Sequence, residues 1–260
     1  MSRYPAMFDR LSRIGEGAFG AFVMLGDPDL DRSAALLDAL VEAGADMLEV
    51  GIPFSDPVAD GPTIQAAATR ALARGVTPPA CFELLGAFRQ RHRDMPVGIL
   101  TYANLVVARG RDAFYRAAAE AGVDSVLVAD VPAREAEPFV EAARTHAVDP
   151  VLIAAPNTPE PVLQRVAALG SGYTYCVARS GVTGADRAME LDHQDLFATL
   201  SRHGAAPPVL GFGISSPAHV RTAMASGAAG VISGSAIVQL AERGDLRAVR
   251  SFVAEMKAAT

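Results

Sequence analysis

The chain has 260 residues, half of them hydrophobic and a fifth charged, with a formal net charge of -6. That length suits one large α/β barrel and is short for two enzymatic domains, so a single domain over 1–260 is expected. The acidic balance argues against nucleic acid, whose phosphates need a basic face, and the absence of a signal-peptide core or of an apolar run near the roughly 20 residues of a membrane span points to a cytoplasmic protein.

Residues 4–14 read as an extra N-terminal helix that closes a barrel floor. Short β-branched runs then alternate with longer Ala-rich helical runs. The strands fall near 21–25, 47–51, 97–101, 125–129, 151–154, 174–177, 209–211 and 230–232. Strands separated by helices of ten or more residues imply parallel βαβ units, and eight of them imply a closed (β/α)8 TIM barrel. The helix over 31–43 carries Leu36, Leu37, Leu40 and Val41 at helical spacing, a face for packing on the barrel. A faint repeat marks strand entries: Ala43-Gly44-Ala45-Asp46, Ala121-Gly122-Val123-Asp124 and Ser226-Gly227-Ala228-Ala229. Glycine there can take the left-handed conformation that closes a helix. A short extra helix over 235–241 follows the eighth strand, and a longer one over 246–258 ends the chain.

The composition restricts the chemistry. The only lysine, Lys257, lies three residues from the C-terminus, so no pocket lysine is available for a Schiff base. The histidines His92, His146, His193, His203 and His219 lie in helical segments or their flanks. They form neither HxH nor HExxH, and no metal site is expected. Cys81 and Cys176 make no CxxC pair, which fits a reducing compartment.

Active sites of such barrels lie at the C-terminal ends of the strands. Glu49 stands in the apolar run Met47-Leu48-Glu49-Val50. Burial would raise its pKa toward neutrality, where one group can both give and take a proton; a structural ion pair across the barrel is the other reading. The loop after it, Gly51 to Pro62, holds three prolines and two acids, long and stiff for a βα unit. Its Asp60, before Gly-Pro, serves either chemistry or a turn. Gly211-Phe212-Gly213-Ile214-Ser215-Ser216 follows the seventh strand and Ser233-Gly234-Ser235-Ala236-Ile237 the eighth. Such glycines let backbone N–H groups approach an anion, and a helix starting at Ser235 adds its favourable dipole end, a pairing that points to phosphate; tight turns are the alternative. The stretch Arg179-Ser180-Gly181-Val182-Thr183-Gly184-Ala185 after the sixth strand reads as a lid or a plain loop. Tyr175 sits in the sixth strand, with a hydroxyl that either reaches the pocket or satisfies a structural hydrogen bond.

The run from Leu48-Glu49-Val50-Gly51-Ile52-Pro53-Phe54-Ser55-Asp56-Pro57 through Val58-Ala59-Asp60-Gly61-Pro62-Thr63-Ile64-Gln65 resembles the signature of the tryptophan synthase alpha subunit family. So do Tyr102-Ala103-Asn104, Val128-Ala129-Asp130-Val131-Pro132, Ser180-Gly181-Val182-Thr183-Gly184 and Gly211-Phe212-Gly213-Ile214-Ser215. The resemblance implies cleavage of indole-3-glycerol phosphate into indole and glyceraldehyde 3-phosphate. It implies Glu49 as general acid/base, Asp60 as the carboxylate that holds the indole N–H, and Tyr175 beside Glu49. Phe22, Leu100, Leu127, Ala129, Ile153 and Ile232 match positions lining an indole slot. Gly184, Gly213, Gly234 and Ser235 match phosphate-binding positions, Gly211 and Phe212 count with the substrate-binding set, and Thr183 belongs to a closing loop that orients Asp60. The resemblance further implies a beta-subunit partner in an α2β2 assembly. Pyridoxal phosphate is expected in that partner and no cofactor in this chain. The second loop, the third near Asn104 and the sixth (179–187) are the expected contact surface, and closure of the sixth loop is expected to couple the two active sites. Met24 departs from the small polar residue expected at its position, and Ala154-Ala155-Pro156-Asn157 replaces a more usual Pro-Pro-Asn. The competing readings are another phosphate-binding barrel, such as a sugar-phosphate isomerase, and a non-catalytic activator of a beta subunit.

Overall fold

Seven consecutive buried residues, Ala18–Met24, make the first strand, and the strands after it are buried almost throughout. A strand covered on both faces needs an apolar side chain at nearly every position. The computed structural model describes residues 2–177 and 193–260, and in it eight parallel strands close on themselves in chain order. They are β1 (Ala18–Met24), β2 (Met47–Gly51), β3 (Val97–Thr101), β4 (Ser125–Val128), β5 (Asp149–Ala154), β6 (Thr174–Val177), β7 (Pro208–Gly211) and β8 (Gly230–Ser233). Closure is made by β1, whose Gly20 faces Met47 of β2 on one side and Ile232 of β8 on the other. β1 begins three residues earlier than its pattern predicts. Small residues hide the start of the strand, but the Ala18 N–H already donates to the Ala229 carbonyl at 3.0 Å.

The helices are α1 (Tyr4–Ile14), α2 (Leu30–Glu42), α3 (Pro62–Ala73), α4 (Pro78–Arg91), α5 (Ala103–Ala108) and α6 (Arg111–Glu120), followed by α7 (Glu137–Thr145), α8 (Glu160–Leu169), α9 (Gln194–Arg202), α10 (Pro217–Ala225), α11 (Ser235–Glu242) and α12 (Leu246–Lys257). Among the described residues none is long and apolar enough to cross a membrane. α2 starts where the Asp29 side chain accepts the Arg32 N–H at 2.8 Å, an N-cap that satisfies one orphan donor. The repeated glycines at strand entries are left-handed, with φ of 97° at Gly44, 76° at Gly122 and 95° at Gly227. They end helices there because a Cβ would make that conformation costly.

Alternation along each strand divides the core in two. Leu48 and Val50 pack outward with the helices, whereas Met47 packs inward with Phe22, Leu127, Tyr173, Tyr175 and Ile232. α1 plugs the lower end, burying Tyr4, Met7 and Leu11 in that inner cluster. Asp124 fixes the plug by accepting from the Arg3 backbone N–H and guanidinium, from Arg89 and from the Val97 N–H. Lys257 ties the C-terminus to the same end, with Nζ at 2.8 Å from Glu16 and 2.9 Å from Asp46. The sole lysine is thus far from the strands' C-terminal ends and serves the closure of the barrel floor.

Candidate active site

Glu49 lies in mid-strand, and its period-two phase with Met47 turns it into the barrel. It is 1% exposed. Its Oε1 accepts the Tyr173 hydroxyl at 2.8 Å, and its Oε2 has no hydrogen-bond partner among the described residues. Among the described residues no cation is paired with Glu49, so none of them makes it half of an ion pair across the barrel. Burial pushes its pKa up to about 7; the Tyr173 hydrogen bond pulls the other way, and the charge of Asp60 adds to the rise. A carboxyl at that value exchanges protons near neutrality.

Asp60 sits above it in the loop joining β2 to α3. That loop is anchored at Tyr102, which follows β3: the Phe54 and Tyr102 rings stack at 5.4 Å, and the Tyr102 hydroxyl accepts the Ala59 N–H at 3.2 Å. Partial burial raises Asp60 to about 6 against the lowering effect of its hydrogen bond with Tyr102. Gln65 donates to the Asp60 carbonyl at 2.7 Å, so the first turn of α3 also fixes the acid's backbone. Tyr175 is buried in the inner cluster, and its ionisation is opposed first by burial and then by the charges of Glu49 and Asp60. The neutral phenol therefore lies within the field of both acids.

The apolar positions expected to line a slot come together here. Phe22, Leu127 and Ile232 belong to the inner cluster, and Leu100, Ala129, Ile153 and Phe212 pack against it partly open. Met24 is buried in the same cluster, its side chain lying over Gly51. Ala155 falls outside it, its N–H bonded to Thr158 in the fifth turn. Gly211 has a role that its letters do not disclose. A Cβ there would stand 2.3 Å from the Tyr175 ring, so the glycine makes room for the phenol. Phe212 holds φ at 104° and Gly213 at 74°; for a bulky residue that conformation costs of order 1–3 kcal/mol and persists only where its surroundings impose it.

The seventh and eighth loops are joined by a residue that sequence reasoning missed: the Ser233 hydroxyl donates to the Ile214 carbonyl at 2.6 Å. The N-terminus of α10 is capped by Ser216, whose side chain accepts the His219 N–H. α11 has Gly234 at its N-cap and no side-chain cap. Its first N–H groups, beginning at Ser235, are available to an anion. Tyr173 and Tyr102 were also missed as site residues. Tyr173 stands two residues before Tyr175, just ahead of β6, and strand alternation turns both into the inner cluster, a signal available in the letters. Thr183, Gly184 and the rest of the sixth loop lie outside the described residues.

A family model described as "Tryptophan synthase alpha chain" matches residues 8–260. The tryptophan synthase alpha chain of Serratia proteamaculans is 54% identical over 266 aligned residues, covering all of this chain and 99% of that one. That of Cronobacter sakazakii is 53% identical with the same coverage. Among solved structures, a tryptophan synthase of Mycobacterium tuberculosis superposes with a TM-score of 0.90 at 32% identity, over 99% of this chain and 98% of the other. The tryptophan synthase subunit alpha of Legionella pneumophila gives 0.90 at 28% identity, over 100% and 98%. A barrel with two neutral-range acids at its apolar mouth, matched over its whole length, thus belongs to the tryptophan synthase alpha chain family, carbon–carbon lyases that split indole-3-glycerol phosphate into indole and glyceraldehyde 3-phosphate.

Proposed function

We propose that Glu49, Asp60 and Tyr175 carry out this cleavage at the mouth of the inner cluster. The observation that supports it best is Glu49 itself: a fully buried carboxyl with one oxygen held by Tyr173 and the other without a partner among the described residues, in an interior lined mainly by apolar and aromatic side chains. The bond to break joins indole C3 to a carbon bearing a hydroxyl. A proton is delivered to C3, the ring nitrogen becomes cationic, and the C–C electron pair returns to the ring as the hydroxyl proton leaves and a carbonyl forms. Glu49 makes one or both transfers, each worth on the order of 10²–10⁴-fold. Asp60 holds the ring N–H and stabilises its transient positive charge. Tyr175, neutral throughout, packs against the reacting end.

Phe22, Leu100, Leu127, Ala129, Ile153 and Ile232 clasp the flat ring. The Phe212, Gly213, Gly234 and Ser235 amides take the phosphate, with Gly211 shaping the wall behind Tyr175. Pinning both ends fixes the cleavable bond against Glu49. Pyridoxal phosphate belongs to a beta-subunit partner that consumes the indole, in an α2β2 arrangement in the cytoplasm. Val58 in the second loop and Val107 in α5 are 70% and 44% exposed, apolar surface where that partner is expected to sit. The test is Glu49→Gln, which keeps the shape and removes the proton. Cleavage of indole-3-glycerol phosphate should fall by several orders of magnitude while inorganic phosphate still binds; normal turnover would refute the assignment. Slow cleavage by the isolated wild-type chain would separate an enzyme from a mere activator.

A further inference from the structure

The two ends of the proposed substrate site are carried by two helices that touch. α3 begins at Pro62, directly after Asp60-Gly61, and α11 begins at Ser235, in the phosphate cradle. Both bury side chains in the inner cluster, Ile64, Ala67 and Ala68 from α3 and Val238 from α11. Between them run two polar contacts. Gln239 Nε2 donates to the Thr63 hydroxyl at 3.2 Å, and Arg70 Nη1 lies 2.9 Å from Glu242 Oε1. Thr63 and Arg70 are seven residues apart, one stripe of α3; Gln239 and Glu242 are three apart, one stripe of α11. Arg70 also grips Asp27, with Nε to Oδ1 at 2.7 Å and Nη2 to Oδ2 at 2.8 Å. This fork-to-fork pair has fixed geometry, unlike a single ammonium contact. Asp27 is buried, three residues beyond the end of β1. One guanidinium therefore joins the end of β1, the helix after Asp60 and the helix of the phosphate cradle. Neither Arg70 nor Glu242 lies at the helix starts that carry the chemistry.

We infer that Arg70 is a positioning residue for the cleavage, clamping α3 to α11 so that the Asp60 carboxylate and the phosphate cradle stand one substrate length apart. The inference rests on the site proposed above. Its signature follows from that geometry. Each half of the site stays intact when the clamp is cut, so fragments that touch one half bind as before. Only a molecule that must reach both ends at once suffers, and a displacement near 1 Å costs up to about a hundredfold.

The experiment compares wild type with Arg70→Met, Arg70→Lys, Glu242→Gln and Gln239→Ala. It measures kcat and KM for indole-3-glycerol phosphate, and separately the affinities of inorganic phosphate and of indole. Arg250→Met, which cuts the exposed Arg250–Glu42 pair elsewhere, is the control. Arg70→Met should lower kcat/KM tenfold or more, with phosphate and indole affinities within about twofold of wild type. Glu242→Gln and Gln239→Ala should lower kcat/KM less, Arg70→Lys should recover part of the loss, and the control should change nothing. Wild-type kcat/KM in both Arg70→Met and Glu242→Gln overturns the inference. So does a parallel fall of fragment affinities, which marks general loosening. If Arg70→Met does not fold, the exposed partners decide: unchanged kcat/KM in Glu242→Gln and Gln239→Ala overturns it equally. Should inorganic phosphate fail to compete with substrate in wild type, the cradle reading fails instead, a result distinguishable from any of these.

Discussion

Replacing Glu49 by Gln should make the folded chain more stable, by an amount that depends on pH. The ordinary glutamate value is 4.5, and in the folded barrel it rises to about 7. The folded state therefore holds that proton more tightly than the unfolded chain does, by roughly 3 kcal/mol at about 1.4 kcal/mol per tenfold. The sign follows from linkage. Below about pH 4.5 the carboxyl is protonated in both states and nothing is lost. As pH rises from 4.5 to about 7 the unfolded chain ionises while the folded one resists, and stability drains away. Above 7 the loss is complete. Glutamine fills the same volume, its amide oxygen can accept from Tyr173, and it never ionises. The stability gained by the variant should therefore be small at pH 4 and reach roughly 3 kcal/mol at pH 8. Urea unfolding of both chains at half-unit pH steps measures it, since the other titrating groups are common to the two. A difference that stays constant between pH 4 and 8 would show that Glu49 does not carry a raised pKa, and the proton chemistry proposed for it would lose its basis. The loss is the counterpart of function, because the same burial that destabilises the carboxylate brings the group to a pKa where it can exchange protons.

Tyr173→Phe removes the hydrogen bond that lowers the Glu49 pKa, so the limb of the kcat–pH profile governed by Glu49 should move to higher pH; an unmoved or lowered limb would refute the contact's role. Gly211→Ala sets a methyl 2.3 Å from the Tyr175 ring. It should cost about 1–3 kcal/mol of stability and, by displacing the phenol, at least tenfold in kcat/KM; a wild-type rate would show that Tyr175 needs no fixed seat. Lys257→Met leaves the buried Asp46 with Arg10 and the Phe19 N–H as its remaining partners. The loss should be about 1.5–3 kcal/mol in urea unfolding, the range for a lost hydrogen bond to a charged group and short of the cost of an uncompensated buried charge because Arg10 remains, with kcat unchanged because the change lies at the barrel floor.

The barrel was legible because burial on both faces forces a visible pattern. β2, β3 and β6 fall where their apolar runs fall, whereas β1, β5 and β7, which open on Ala18, Asp149 and Pro208, begin before the pattern does. Glu49 was legible for a related reason. Polarity inside a run that must be buried contradicts what burial demands, so the letter stands out. Its alternative role, an ion pair, finds no partner among the described residues, which the letters alone could not say, because a partner's identity is not written next to it. Tyr173 lies 124 residues away in sequence, and the barrel's closure and register bring the two together, not any local motif. Gly211 shows the same limit from the other side. Its position at the end of β7 suggested backbone open to an anion, whereas the space it leaves is taken by a ring from the neighbouring strand. Residue type tells what a position can tolerate. Which of the tolerated roles it performs is decided by side chains that reach it across the barrel, and for Glu49 that decision rests on one phenol and on one oxygen that no described residue bonds.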